Sequence, residues 1–395
     1  MLPDEMFSLL RKLVETESPS HDKAAVDRVG ALVAEAARRL GAEVETVPNS
    51  ETGDHVIARF YASNTAGRVG GGSRIALHPT RPAPPYRDQG EGDKEGILLL
   101  CHMDTVFPLG ALAKMPWREA DGKLYGPGVL DMKSGIVISL AAASAAGAGE
   151  GPARPVTLLC TSDEETGSHT SRALIEELAK QSALVLVLEA ALPDGSLKTW
   201  RKGVGEFTVR VRGRAAHAGG AHAEGRNAIE EMAHQVIAIQ QMTDYARQTT
   251  LNVGVLRGGT VSNVVPEEAV AEVDVRVMQP GEWERVEAAM KSLKPVLEGV
   301  SLEISGVLNR PPMPEDATMK ATFARAREIA AGIGMALTSG GTGGGSDANF
   351  VAPLGVPVLD GLGAVGEGYH SEREYIVKDS LPERVELLAA ILRNW

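Results

Sequence analysis

Aromatic residues are scarce: Phe, Trp and Tyr make up only 4% of the 395 residues. The core must therefore be built mostly from Ala, Val and Leu. Cysteine is almost absent. The two present, Cys101 and Cys160, each sit in an apolar run that reads as a buried strand. That excludes a disulfide scaffold and points to free thiols in a reducing compartment. No uninterrupted apolar run approaches about 18 residues, which argues against a membrane span. The start, MLPDEMFSLLRK, has acids where an export signal carries bases. It also lacks an apolar run of about 7–15 residues, so a cytoplasmic location is expected. Basic residues are outnumbered, giving a formal net charge of −12, and no basic patch offsets it. Nucleic acid and anionic membrane are therefore not expected partners. What is present is ordinary globular composition, 43% hydrophobic and 23% charged. Domains of about 100–200 residues make the length suit two or three of them.

The first two thirds alternate helical and strand patterns. Val26, Val29, Val33, Ala37 and Leu40 form a helical stripe that Gly41 ends. His55–Tyr61, Ile97–Cys101, Val156–Cys160 and Leu184–Leu188 read as strands. Met132–Ala146 and Ser171–Lys180 read as helices. Apolar strands buried on both faces and alternating with helices imply an α/β fold, a mostly parallel sheet sandwiched by helices. Near residue 200 the pattern changes. Phe207, Val209 and Val211 alternate with polar residues. A helix (about 224–242), two strands (about 250–256 and 269–277), a helix (about 281–297) and a strand (about 300–307) follow. That order is β-α-β-β-α-β, a ferredoxin-like α+β unit. The expected division is a discontinuous catalytic domain, 1–200 and 313–395, with an inserted domain at 201–312. After Pro312 the expected elements are a helix near 316–331, Gly-rich turns, a strand at 356–359 and a helix near 381–394. Residues 62–95 are rich in Gly, Pro and Arg without periodicity. They read as an exposed, partly mobile excursion with no catalytic role.

Of nine histidines, His21, His55, His78, His169, His222 and His234 lack clustered partners and read as bland loop or helix-face residues. The others have company. His102-Met103-Asp104 follows a buried strand directly. In open α/β sheets ligands gather at the carboxyl ends of strands. An acid two residues on can hold the second ring nitrogen of a metal-binding imidazole. Asp131 follows a Gly-Pro-Gly turn just before a helix, as an N-cap or as a ligand. Glu164 and Glu165 lie in Thr161-Ser162-Asp163-Glu164-Glu165-Thr166-Gly167 after a strand, as a solvated charge run or as site residues. Glu189 finishes a wholly apolar strand, and His370 follows the last one. Successive strand-to-loop junctions thus each present a His, Asp or Glu on the edge where a parallel sheet binds ligands. Two His and three carboxylates suit two zinc ions with one bridging carboxylate. Such a pair activates water, and a spare glutamate can take its proton.

CHMDTVFP, GPGVLDMKSG, TSDEETGS, LVLEAA, GRAAHAGG, GTVSNVVPEEA, DVRV, GGTGGGSDANF and GEGYHS together carry a resemblance. The chain resembles the dinuclear-zinc metallopeptidases of the carboxypeptidase G type, glutamate carboxypeptidases. Aminoacylases, acetylornithine deacetylase and succinyl-diaminopimelate desuccinylase belong to the same superfamily. The likeness runs from the N-terminal helix to the end, and only 62–95 lacks a counterpart. It implies that His102 and Glu189 bind one zinc, Glu165 and His370 the second, and that Asp131 bridges them, with a cis peptide to Met132. Asp104 would orient His102. Glu164 would be the general base and acid. Glu at 189, where relatives that remove N-terminal residues often have Asp, leans towards the carboxypeptidase or deacylase branch.

The resemblance also implies that His217 reaches the partner subunit's site as oxyanion donor, so a homodimer built through the inserted domain is expected. Asn263 would hold the same substrate region. Arg276 and Arg310 would bind carboxylates of the C-terminal residue, as guanidinium suits bidentate pairing. Gly344, in Gly343-Gly344-Gly345-Ser346-Asp347, would let backbone amides approach that group. This is no phosphate loop, since no Lys-Ser/Thr follows and no strand is expected to lead in. The function expected is zinc-dependent hydrolysis of a small peptide or N-acyl amino acid that releases a C-terminal amino acid, most readily glutamate. Cobalt or manganese would be possible substitutes. The alternative is an N-acyl-amino-acid deacylase for small acyl groups. An inactive scaffold relative would have lost a ligand or the base, and none is missing.

Overall fold

A computed structural model describes residues 1–61, 96–147 and 154–395. The 62–95 segment lies outside the described residues. Eight strands form the larger sheet. Their spatial order is Glu43–Val47, His55–Phe60, Val156–Thr161, Gly96–His102, Ser182–Val187, Val358–Asp360, Leu197–Arg201 and Ser339–Thr342. The four central strands are parallel, and antiparallel pairings flank them on both sides. Leu98, Leu99 and Leu100 are all buried. Successive strand side chains point to opposite faces, so both faces are covered. Helices Lys23–Arg39, Ser134–Gly147, Arg172–Lys180, Ala317–Gly332 and Ser380–Asn394 contribute to the same core. The Lys23–Arg39 helix buries Val26, Val29, Val33 and Ala37. The Asp22 carboxylate caps it by accepting from the Ala25 amide at 3.0 Å, a contact that stabilises by about 1 kcal/mol. Val129–Ala146 is long and apolar enough by composition to cross a membrane, yet it is buried inside the fold. Cys101 and Cys160 are free, buried and in register on neighbouring strands.

The second sheet has four strands in the order Thr250–Gly258, Glu268–Val277, Gly203–Arg212 and Ser301–Arg310, all antiparallel. It has its own core of Phe207, Val209, Val211, Val273, Val275, Trp283 and Met290. Phe207 and Trp283 stack with ring centroids 5.0 Å apart. Two helices, Ala228–Gln240 and Glu282–Ser292, pack with it, both shorter than their patterns suggest. Asn227 caps the first by accepting from the Ile229 and Glu230 amides. Beyond Ser292, Leu293 leaves the helical region, and Pro295 disfavours helical backbone at Lys294.

A third, small sheet was not anticipated. It orders Gly366–Glu367, Tyr375–Val377, Lys123–Tyr125 and Arg118–Ala120. Its strands are two or three residues long, too short for any periodicity. Two further readings need correction. A strand, Ser339–Thr342, does lead into the Gly343–Gly345 loop, pairing parallel with Leu197–Arg201; its Ser-Gly-Gly-Thr sequence carries no apolar signal. His55 is no bland loop residue. It opens a strand, is 3% exposed, and meets the Ser162 hydroxyl at 3.1 Å.

Candidate metal centre and active site

Three loops leave the carboxyl ends of the central parallel strands together. His102 is the last residue of its strand, Glu164–Thr166 form a single turn just after Val156–Thr161, and Glu189 follows Ser182–Val187 by two residues. Asp131 and His370 arrive differently. Both were expected at junctions of the main sheet, but Asp131 follows Lys123–Tyr125 and His370 lies between Gly366–Glu367 and Tyr375–Val377. The small sheet, not the large one, brings these two to the cluster.

The five side chains converge on the Asp131 carboxylate. His102 Nε2 is 3.1 Å from Asp131 Oδ1 and 3.6 Å from Glu189 Oε1. His370 Nε2 is 3.2 Å from Asp131 Oδ2 and 3.4 Å from Glu165 Oε2. Two triads result, His102–Asp131–Glu189 and Asp131–Glu165–His370, each with its ligand atoms within 4.8 Å of one another. They share Asp131, one oxygen to each side. The peptide between Asp131 and Met132 is cis.

The electrostatics show a centre that calls for positive charge. Burial opposes protonation of His102, but Asp104, Asp131 and Glu189 outweigh it and hold its pKa well above the usual imidazole value. Hydrogen bonds to Asp131 and Glu165 raise His370 to about 10. Burial would raise Asp131, yet the two imidazoles keep it below the ordinary carboxylate range. Burial and the nearby Asp131 push Glu165 up to about 7. Glu165 Oε1 is buried without a hydrogen-bond partner, an arrangement that is costly unless something occupies it. Two imidazoles and three carboxylates in two adjoining sets fit a pair of divalent ions with N/O preference.

Asp104 does more than orient His102. Its Oδ1 lies 3.4 Å from His102 Nδ1, and its backbone oxygen 3.0 Å from the same nitrogen. A proton held on Nδ1 leaves the Nε2 lone pair for a metal. The same carboxylate accepts from the Ser20 hydroxyl at 2.7 Å and from the Glu164 and Glu165 amides at 3.2 Å each. One buried acid thus fixes both the His102 ring and the turn carrying Glu164 and Glu165. Burial raises Glu164 well above the usual carboxyl value, against the opposing charge of Arg310.

Arg310, expected to meet a substrate carboxylate, is engaged by carboxylates of its own chain. It is buried, and its Nη2 donates to Glu164 Oε1 at 2.8 Å, to Ser168 Oγ at 3.0 Å and to Asp347 Oδ1 at 3.3 Å. Two buried carboxylates need a counter-charge, and Arg310, last in its strand, is delivered between them. Arg276 pairs through its guanidinium with Asp274, two residues back on the same face, and its Nη1 is 3.4 Å from the Gly343 carbonyl. The Gly344 carbonyl accepts from Arg201 at 3.2 Å. Arg201, buried, is also held by Asp360 at 2.6 and 3.1 Å. His217 and Asn263 lie together elsewhere, both exposed, with the Asn263 carbonyl accepting from the Ala218 amide at 2.9 Å. Among the described residues no hydrogen bond joins either to the cluster. The His217 Nδ1 accepts from the Gly219 and Gly220 amides at 3.1 and 2.9 Å. That leaves the ring proton on Nε2, as a donor.

Sequence reasoning missed several residues. Lys198 is 4% exposed, and burial lowers its pKa to about 8. Its Nζ has no hydrogen-bond partner among the described residues and lies 5.8 Å from the centre of the Tyr369 ring, next to His370. The Leu-Lys-Thr-Trp-Arg run around it has no apolar alternation to mark it out. Glu374 is fully buried and accepts from three amides of the Asp131 loop. In the sequence it looks like one acid of an exposed Ser-Glu-Arg-Glu run.

Comparison with known proteins now decides the family. The family model "Peptidase family M20/M25/M40" matches residues 98–394. The chain belongs to the M20 family of peptidases. Carboxypeptidase G2 of Pseudomonas sp. (strain RS-16) is 30% identical over 401 residues, covering 98% of this chain and 89% of that protein. Among solved structures, the aminopeptidase PepT of Bacillus cereus superposes with a TM-score of 0.75 at 21% identity, covering 100% of this chain and 99% of the other. A dinuclear metal binding peptidase of the M20 family from Bacillus subtilis gives 0.67 at 16% identity, covering 99% and 97%. At those identities the structural likenesses establish the fold alone. As an M20 peptidase the chain is a hydrolytic enzyme of metallopeptidase type acting on peptide substrates.

Proposed function

We propose that this M20 peptidase releases a C-terminal amino acid, glutamate most readily, from a small peptide or N-acyl amino acid with the help of two zinc ions. The observation that carries the reading is the pair of triads sharing Asp131, with Glu164 held in the turn beside Glu165. His102 and Glu189 would hold one ion, Glu165 and His370 the other, and Asp131 would serve both. When bound, the ions supply Lewis acidity towards the scissile carbonyl and acidify water. Glu164 takes a proton from the attacking water and returns it to the leaving amine. His217 of the partner subunit donates from Nε2 to the oxygen where negative charge develops. The exposed Ile237, Tyr245 and Leu256, on and around the inserted unit's first helix and edge strand, support a homodimer formed there.

An acidic product is supported by the cations near the centre. With Arg310 engaged by Glu164 and Asp347, and Arg276 by Asp274, Lys198 is the cation of these three that remains to meet a carboxylate. The test is amino-acid release from N-acyl and dipeptide substrates ending in Glu, Asp, Ala, Leu or Lys, with zinc and with chelator. Chelator-sensitive release fastest for Glu is expected. Release of other residues with Glu ignored would move the enzyme to the deacylase alternative, and no release from any substrate would remove the proposal.

A further inference from the structure

The geometry points to Glu374 as the residue that positions the bridging Asp131 for metal, by clamping its loop to the loop that carries His370. This rests on the two-metal reading above and adds a residue to it.

Glu374 Oε1 accepts from the Leu130 amide at 2.8 Å and the Asp131 amide at 3.1 Å, and Oε2 from the Gly128 amide at 3.3 Å. These are three of the four amides between Gly128 and Asp131, in the turn that delivers Asp131. The turn's own bonds, from the Val129 amide to the Gly126 carbonyl at 3.2 Å and from the Lys133 amide to the Gly128 carbonyl at 2.9 Å, leave those three amides to Glu374. Gly128 has φ +72°, and Asp131 and Met132 both leave helical φ/ψ. Without Glu374 three buried amides would have no carboxylate to meet, and buried amides are almost always paired.

The other end of the clamp is equally fixed. Glu374 follows His370 by four residues, and its own amide donates to the Ser371 carbonyl at 3.1 Å. Tyr375, next in the chain, pairs with Tyr125 in the small sheet, and their rings are 5.6 Å apart. Thus the same short sheet that brings the two loops together sets the Glu374 carboxylate between them. Lys133, two residues past Asp131, is buried and ties the far side of the turn to the Thr16 carbonyl at 3.0 Å. His370 itself is half exposed in its side chain and sits at φ +55°. Its spacing from Asp131 therefore depends on what its loop is fastened to, and Glu374 is that fastening. Glu374 touches no substrate and no metal; it acts through Asp131 and His370.

The experiment is metal binding to metal-stripped protein, read by cobalt(II) titration and chelator competition, with circular dichroism and Tm alongside. The variants are Glu374→Gln, Glu374→Ala and, as control, the exposed Glu367→Gln in the same small sheet. Gln keeps the shape but must turn its NH2 towards one of the three amides. Glu374→Gln is expected to fold and to bind both ions about 10-fold more weakly, as outer partners of metal ligands do. Glu374→Ala should lose more, and Glu367→Gln should match the wild type. Glu374→Gln that folds with wild-type affinity overturns the inference, whether or not Glu374→Ala folds. Wild-type protein that fails to take up two ions per chain would instead sink the two-metal reading itself.

Discussion

The metal cluster and the His217 region are built on opposite plans. The cluster is buried except for the half-exposed His370, tied by hydrogen bonds, and assembled within one chain. His217 and Asn263 are exposed, linked through the Ala218 amide that donates to the Asn263 carbonyl, and unconnected to the cluster among the described residues. The contrast teaches where preorganisation comes from. A centre that concentrates charge needs a rigid, desolvated frame, because the electrostatic terms are strongest there. A donor that acts only when a second subunit closes can sit on an outlying sheet with its proton already on the outward nitrogen. If this contrast holds, damage to the two regions will differ in kind.

Glu164→Gln is the sharpest test of the buried side. It should leave both ions bound while kcat falls by about 10²–10⁴-fold. Near-normal turnover would remove Glu164 from the chemistry. His217→Ala tests the exposed side. A loss of about 10²–10³ in kcat is expected, with metal content and Tm unchanged. Mixed with a Glu165→Ala chain, it should form heterodimers with about half the wild-type activity, each with one complete site, so an equal mixture that assorts randomly recovers about a quarter. No recovery would mean that His217 serves its own chain or none.

Lys198 gives the smallest and most specific effect. Lys198→Met should raise KM for substrates ending in Glu by about 10–100-fold, the range for losing a charge-assisted hydrogen bond, with little change in kcat. Burial depresses the Lys198 pKa to about 8, so its charge is present below that pH and lost above it. KM for the acidic substrate should therefore climb as pH rises past about 8 in the wild type and stay flat in the variant. Equal KM slopes in both would take Lys198 out of substrate binding.

Much of this molecule was legible from residue order because its signals are local. Three largely apolar runs, Ile97–Cys101, Val156–Cys160 and Leu184–Leu188, become strands of the large sheet, as burial on both faces favours. The acids and histidines that end those runs, His102, Glu164, Glu165 and Glu189, emerge on one edge because parallel strands share a direction. Other placements depend on non-local pairing and left no trace in the chain. The three-residue strands that carry Asp131 and His370 are too short to show a period, and only their pairing makes them strands. Arg310 reads the same whether it faces a substrate carboxylate or Glu164; delivery by its strand into a pocket already holding two buried acids decided that. Glu374 and Lys198 look like surface charges until the fold buries them. Sequence by itself determined the sheet, the edge and the set of ligand types, because hydrophobic period and strand direction are properties of a segment. Which oxygen faces which nitrogen, and what holds Asp131 in place, only the tertiary structure decided, because those contacts join residues up to 246 positions apart.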